Sequence, residues 1–237
     1  MTDYRDSHLA RGESYDATLA GAPFDHYMAK AERDYLLETV PGLFPRGRPR
    51  YLDFACGTGR ITQTVAPLAG EAIGVDISSS MLREAQRKCP TVRFVQADLT
   101  KAEVDLGIFD MITSFRFFGN AQDELRVSVM RTLNRLLRPG GYLVINSHRN
   151  PHSISDILQR IGNANQGMDL HYFKLKRLLR KHGFEIVKTR PIGAWMYRAK
   201  LMDASYDSAS TKRLESMFTS SMFTPIAPDA VIVARKM

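Results

Sequence analysis

Short apolar, β-branched runs alternate with amphipathic segments through the middle of this chain, and that alternation restricts its fold more than any other feature. The runs are RYLDFA at 50–55, EAIGVDI at 71–77, VRFVQADL at 92–99, FDMITSF at 109–115 and GYLVINS at 141–147. Between them, ITQTVAPLA at 61–69, SMLREAQRKC at 80–89 and ELRVSVMRTLNRLL at 124–137 carry apolar residues near helical spacing. Strand followed by helix at this interval predicts a parallel sheet covered on both faces, the doubly wound α/β class. In the third helix Leu125, Val129, Leu133, Leu136 and Leu137 form the apolar side, with Arg126, Arg131, Arg135 and Arg138 turned outward. Pro139-Gly140-Gly141 should end that helix and reverse the chain into the next strand.

The flanks continue the pattern. DHYMAKAERDYLLETV at 25–40 reads as a helix that stops at Pro41, with 41–49 a loop. After 150, ISDILQRIG and FKLKRLLRKHG read as helices, and FEIVKTR at 184–190 and DAVIVARK at 229–236 as strands. At 237 residues with 44% hydrophobic content the chain can bury a good-sized core. We therefore expect one domain over 1–237, with a helical cap at 1–49, a cofactor-binding core at 50–147 and substrate-side elements with the last strands at 148–237. Cys56 and Cys89 cannot build a disulfide framework, which favours a reducing compartment. The polar N-terminus and the lack of a long apolar run lead to the expectation of a soluble cytoplasmic protein without a transmembrane segment.

Open sheets of this kind bind ligands beyond the carboxyl ends of their strands, so the residues that follow each strand matter most. The first strand leads into Asp53-Phe54-Ala55-Cys56-Gly57-Thr58-Gly59-Arg60, where glycines let backbone approach a ligand and free helix amides favour an anion. The second ends at Asp76, where a carboxylate could take both hydroxyls of a ribose, and the third at Asp98. Steps of 23 and 22 residues separate Asp53, Asp76 and Asp98, one strand–helix unit each. A dinucleotide site would want a small residue where Thr62 stands, and it has no standard use for Asp98.

LDFACGTGR, GVDIS, QADLT, FDMITSFRFF and LLRPGGYLVI, in that order between 50 and 147, resemble the class I S-adenosylmethionine-dependent methyltransferases. The resemblance implies a Rossmann-like, mostly parallel seven-stranded sheet with its last strand antiparallel, and S-adenosylmethionine across the early strand ends. It places Asp53, Ala55 and Gly57 around the methionine part, Asp76 on the ribose, and Ile77 and Met81 against the adenine. Asp98 and the amide of Leu99 meet the adenine's polar edge, Ser114 lies beside the methyl donor, and Tyr15 in the upstream ESYD covers the cofactor. Ala55 departs from the family pattern, which most often has glycine there.

The acceptor side is less determined. SFRFF is not the Asn-Pro-Pro-Tyr motif of amino-group methylation, and neither cysteine is placed to attack a pyrimidine carbon. No Asp/Asn cluster of metal-dependent O-methyltransferases follows the fourth or fifth strand. His148, after the fifth strand, is a candidate base for metal-independent methylation of a hydroxyl, and Arg116 and Arg149 could hold a carboxylate or phosphate. SFRFF with NSHRNP is also similar to uncharacterised bacterial methyltransferases of small molecules and glycans. The expected acceptor is thus a small molecule or glycan, anionic in one version, with nucleic acid disfavoured. The alternatives are an RNA methyltransferase or a protein that binds S-adenosylmethionine for regulation or scaffolding without catalysis.

The net charge of +8 motivates the RNA alternative, yet residues 171–200 hold nine basic side chains against Glu185 alone. Leu175, Leu178 and Leu179 would turn inward and leave Lys174, Lys176, Arg177, Arg180 and Lys181 as a solvated helix face.

Overall fold

The computed structural model describes residues 23–101, 104–154, 156–157, 170–195 and 206–237. Its centre is a seven-stranded sheet formed by β1 (Arg50–Phe54), β2 (Glu71–Asp76), β3 (Arg93–Gln96), β4 (Phe109–Ser114), β5 (Leu137–Asn146), β6 (Phe184–Ile192) and β7 (Asp229–Lys236). The strand order is β3-β2-β1-β4-β5-β7-β6. The pairings from β3 across to β5 are parallel, and β7 runs antiparallel to both neighbours. Strand order therefore reverses between β1 and β4, which opens a crevice at their carboxyl ends.

Period-two alternation sends neighbouring side chains into two different cores. Leu52 and Ile112 face α4 (Asp123–Leu136) and α5 (Tyr172–Lys181), in a cluster with Val129, Leu133, Leu175 and Leu179. Tyr51 and Met111 face the other way, against α1 (Pro23–Leu43) and α2 (Arg60–Val65), with Met28, Leu36, Ile61 and Val65. The remaining helices are α3 (Ser79–Lys88), N-capped by the Ser78 hydroxyl, and α6 (Ala209–Met217), N-capped by Ser208. Among the described residues no helix is long and apolar enough to cross a membrane.

Three local expectations are corrected. The first helix does not stop at Pro41 but continues through it to Leu43; a proline so near the carboxyl end removes few intrahelical bonds. Pro139-Gly140-Gly141 lies inside β5, because Leu137 already pairs with Phe109 before the ladder resumes at Tyr142 against Met111. The intervening residues bulge out, and Gly141 is needed because a Cβ there would sit 2.9 Å from both the Asp110 carbonyl and Leu137. Arg126 does not point outward and is 2% exposed. It shares the stripe of Met130 and Leu133, and its Nε donates to the Phe118 carbonyl at 2.8 Å while Nη1 meets Asp123 at 2.7 Å.

On α5, Leu175 and Leu179 are buried, Leu178 is half-buried, and Arg177, Arg180 and Lys181 are exposed, so this basic segment is a solvated face. Lys174 is held by Asp123 at 2.8 Å. The expected helix at ISDILQRIG falls mostly outside the described residues.

Gly74, opposite Asp53 on β1 and Phe94 on β3, has no room for a side chain. A Cβ there would overlap the Phe94 ring and approach Cys56 Sγ to 3.2 Å. Gly74→Ala is expected to lower unfolding free energy by about 1–3 kcal/mol through overpacking. Denaturant titration reads the loss, and trimming the ring in a Gly74→Ala, Phe94→Leu double variant should return part of it.

Candidate functional site

A cleft of about 1050 Å³, counted out to its solvent mouth, opens at the carboxyl ends of β1, β2, β3 and β4. Of the residues singled out in the sequence, Asp53, Ala55, Gly57, Asp76, Ile77, Met81, Asp98, Leu99 and Arg116 line it. The sheet topology thus gathers carboxylates that are 45 positions apart at the extremes into one concave surface.

The glycine turn is shaped by its own strain. Ala55 has φ 56°, Gly57 φ 53° and Gly59 φ 78°, all left-handed. Alanine in this region costs about 1–2 kcal/mol, which is why glycine suits the position better. The two glycines serve different ends. A Cβ on Gly59 would press on Ala85 of α3 at 3.0 Å, so Gly59 lets helices α2 and α3 pack closely. A Cβ on Gly57 would meet no protein atom within 4 Å, so the space beside Gly57 is open to a ligand.

Each acidic residue also has a local task. Asp53 is buried and accepts from the Thr62 hydroxyl at 2.6 Å and the Thr113 hydroxyl at 2.8 Å. Thr62, which argued against a dinucleotide site, thereby ties α2 to β1. Burial pushes the Asp53 carboxyl up to about 6, against those two hydroxyl bonds and the Arg60 charge, which lower it. Asp76 accepts from the Gly57 amide at 2.8 Å and the Ser78 amide at 2.9 Å, joining the glycine turn to the end of β2. Asp98 accepts from the Thr100 amide at 3.0 Å and its hydroxyl at 2.6 Å. Between these polar groups Met81 and Leu99 present buried apolar surface.

The opposite wall is built around Arg116, whose backbone is left-handed at φ 57°. Its amide donates to Asn146 Oδ1 at 2.6 Å, and its carbonyl accepts from Asn120 Nδ2 at 2.5 Å. Asn146 in turn donates to Glu32 Oε1 at 2.7 Å, and Glu32 Oε2 meets Arg60 at 2.7 Å. The Arg116 guanidinium reaches Asp25 on α1. Arg60, Asn120, Asp25 and Glu32 were not singled out in the sequence. Glu32 had a visible signal, being a charge on the otherwise apolar stripe of Met28, Tyr35, Leu36 and Val40.

Two of the expected residues do not line this cleft, and a third falls outside the described residues. Ser114 is fully buried beside Ile145 and does not line the cleft, because strand alternation points it with Ile112 into the α4 side. His148 does not line the cleft either; it is 5% exposed, with Nδ1 2.8 Å from Asp229 Oδ2 at the start of β7. Burial, reinforced by the Arg116 and Arg149 charges, pushes His148 down to about 3, while burial and Glu32 push Asp229 up. Burial thus makes this imidazole a weaker base than an exposed histidine. Tyr15 lies outside the described residues.

Comparison with known proteins agrees with this geometry. Residues 52–141 match the family model described as a methyltransferase domain. The demethylmenaquinone methyltransferase of Beutenbergia cavernae is 32% identical over 113 residues, 48% of this chain and 46% of that protein. The ubiquinone biosynthesis O-methyltransferase of Albidiferax ferrireducens is 28% identical over 124 residues, 49% of this chain and 48% of that protein. The chain thus spans about half the length of these curated relatives. Magnesium protoporphyrin IX methyltransferase from Synechocystis, solved with bound SAH, superposes with a TM-score of 0.67 at 16% identity, over 98% of this chain and 97% of that one.

The buried Asp53 carboxyl makes stability depend on pH. A folded carboxyl near pKa 6, against 3.8 for the free group, favours the fold fully below about pH 4, and the contribution is lost as pH rises through about 6. Between pH 4 and 7.5 the parent should therefore lose about 3 kcal/mol more unfolding free energy than Asp53→Asn. Parallel denaturation curves for the two proteins would remove Asp53 as the source.

Proposed function

We propose, for a chain whose residues 52–141 match a methyltransferase domain model and lie in a Rossmann-like fold, that the protein transfers a methyl group from S-adenosylmethionine to a small-molecule acceptor. One observation carries this reading: the cleft wall combines the open turn at Gly57 with Asp76 and Asp98 at successive strand ends and apolar surface between them. A sulfonium donor supplies an activated methyl group, and the acceptor oxygen displaces the sulfur in line. Backbone around Ala55 and Gly57 would hold the methionine portion. Asp76 would bind the ribose hydroxyls, Ile77, Met81 and Leu99 would pack on the adenine, and Asp98 would face its amino edge. Asp76 accepts the Gly57 amide on one oxygen and the Ser78 amide on the other, which fixes its carboxylate at the end of β2 beside the glycine turn.

The relatives' names, a quinone and a porphyrin methyltransferase among them, favour a small molecule over a glycan. Methyl displacement needs alignment more than acid–base help. No histidine, lysine or tyrosine lines the cleft among the described residues. The favoured acceptor is an oxygen acidic enough to arrive without its proton, so that no protein base is required.

Isothermal titration tests the cofactor half. The parent protein is expected to bind S-adenosylmethionine and its demethylated product, with Asp76→Ala weakening both about ten- to a hundredfold. A parent that binds neither removes the reading. A second measurement concerns His148. His148→Ala is expected to lower stability by about 2–4 kcal/mol, because Asp229 stays buried without its partner. Turnover by the folded protein at neutral pH should persist; its abolition with the fold intact would return His148 to the role of base.

A further inference from the structure

The Arg116 side chain is fixed at one end and exchangeable at the other. Its backbone is gripped by short bonds, 2.6 Å from its amide to Asn146 and 2.5 Å from Asn120 to its carbonyl. These hold a left-handed conformation that a long side chain rarely adopts. Such a constraint aims the guanidinium, whose contacts with α1 are longer. Nη1 donates to Asp25 Oδ1 at 3.1 Å and Nη2 to the Asp25 carbonyl at 3.4 Å. Charge-assisted bonds in a settled pair are nearer ~2.7–2.9 Å.

Asp25 is also able to let go. It sits in the first turn of α1, where the helix dipole stabilises a carboxylate by itself. Its side chain is 15% exposed, so loss of Arg116 would not strand a fully buried charge. One strand over, Arg149 at the end of β5 is exposed, left-handed at φ 54°, and without an ion-pair partner among the described residues. Two arginines thus stand on left-handed backbone at adjacent strand ends, one exposed and one held by Asp25.

We propose that the methyl acceptor is an organic acid whose carboxylate or phosphate takes the place of the Asp25 carboxylate on Arg116. Asp25 is then a placeholder that keeps the guanidinium aimed into the cleft between turnovers and excludes acceptors without an anionic group. This rests on the methyl-transfer reading above and adds to it the class of acceptor and the residue that selects it. Uncharged acceptors lose because they cannot compensate Arg116 for the contact they displace.

The experiment uses a small-molecule extract of cells expressing the protein, divided at pH 7 on an anion exchanger. Each fraction is incubated with the full chain and methyl-labelled S-adenosylmethionine, and SAH binding is measured alongside by calorimetry. Label is expected in products of the retained fraction. Arg116→Gln should reduce it about tenfold or more, and Arg116→Lys, which keeps the charge without the planar fork, should restore part of it. Asp25→Asn should shift the half-saturating extract dilution about threefold or more towards lower concentration without lowering the plateau, since the competing carboxylate is gone. If Asp25 merely props up Arg116, Asp25→Asn will instead lower labelling as Arg116→Gln does, and the placeholder role is overturned. Label confined to the unretained fraction, or absent from both while SAH binds, overturns the acid acceptor and leaves donor binding standing. Failure of the parent to bind SAH removes the methyl-transfer reading first.

Discussion

Glu32 has no exposed surface, and the working edge of the sheet is assembled around it. A buried carboxylate costs several kcal/mol in lost hydration and is tolerated only with close charged or polar partners. Glu32 has two, Arg60 at 2.7 Å and Asn146 at 2.7 Å. Arg60 is the first residue of the helix that follows the glycine turn, and Asn146 is the last residue of β5. One carboxylate on α1 therefore ties the glycine-turn side of the cleft to the strand end that clamps the Arg116 backbone. A second buried carboxylate, Glu215 of α6, fastens the same helix from behind. It accepts from the Tyr27 hydroxyl at 2.8 Å and from Trp195 Nε1 at 2.7 Å.

Strain is concentrated where those ties converge. The described non-glycine residues with positive φ are Ala55, Arg116 and Arg149, which follow β1, β4 and β5. These three strands are neighbours in the sheet. Each left-handed residue costs about 1–2 kcal/mol, and such residues persist where surrounding contacts over-determine the backbone. For Arg116 the compensation is visible in the two asparagine bonds; for Ala55 it lies in the Cys56 amide, which donates to the Val75 carbonyl at 3.0 Å. The turns that bring backbone close to a ligand are thus held open by hydrogen bonds from the next strand.

The sheet, its last antiparallel strand and the gathering of the strand-end carboxylates into one cleft were legible because they rest on local signals. Period-two runs locate the strands, and the 23- and 22-residue steps carry Asp53, Asp76 and Asp98 to consecutive strand ends. What escaped depends on partners far away in sequence. His148 looks like a solvent-edge base until Asp229, 81 residues on, closes over its Nδ1. Arg126 looks like a surface charge until the Phe118 and Gly119 carbonyls turn back to meet it. Pro139-Gly140-Gly141 reads as a helix stop because nothing in those residues shows that Leu137 has already joined Phe109 in the sheet. Asp53 misled in a subtler way, since it does line the cleft while both its oxygens are engaged by threonines.

The two halves of the cleft also differ in where their residues come from. The wall of the glycine turn and the strand-end aspartates lies within 52–141, the segment that matches the methyltransferase domain model. The wall around Arg116 is held by Asp25 and Glu32 before that segment, and Asp229 and Glu215 after it brace the elements behind. The relatives' matches likewise cover about half of this chain. Among the described contacts α1 alone of the helices reaches Arg116, through Asp25, and Asn146, through Glu32, so the proposed selection by Arg116 would follow the charge and reach of α1. A single carboxylate moved along that helix would change what the arginine is free to hold, with the glycine turn and the three strand-end aspartates left as they are.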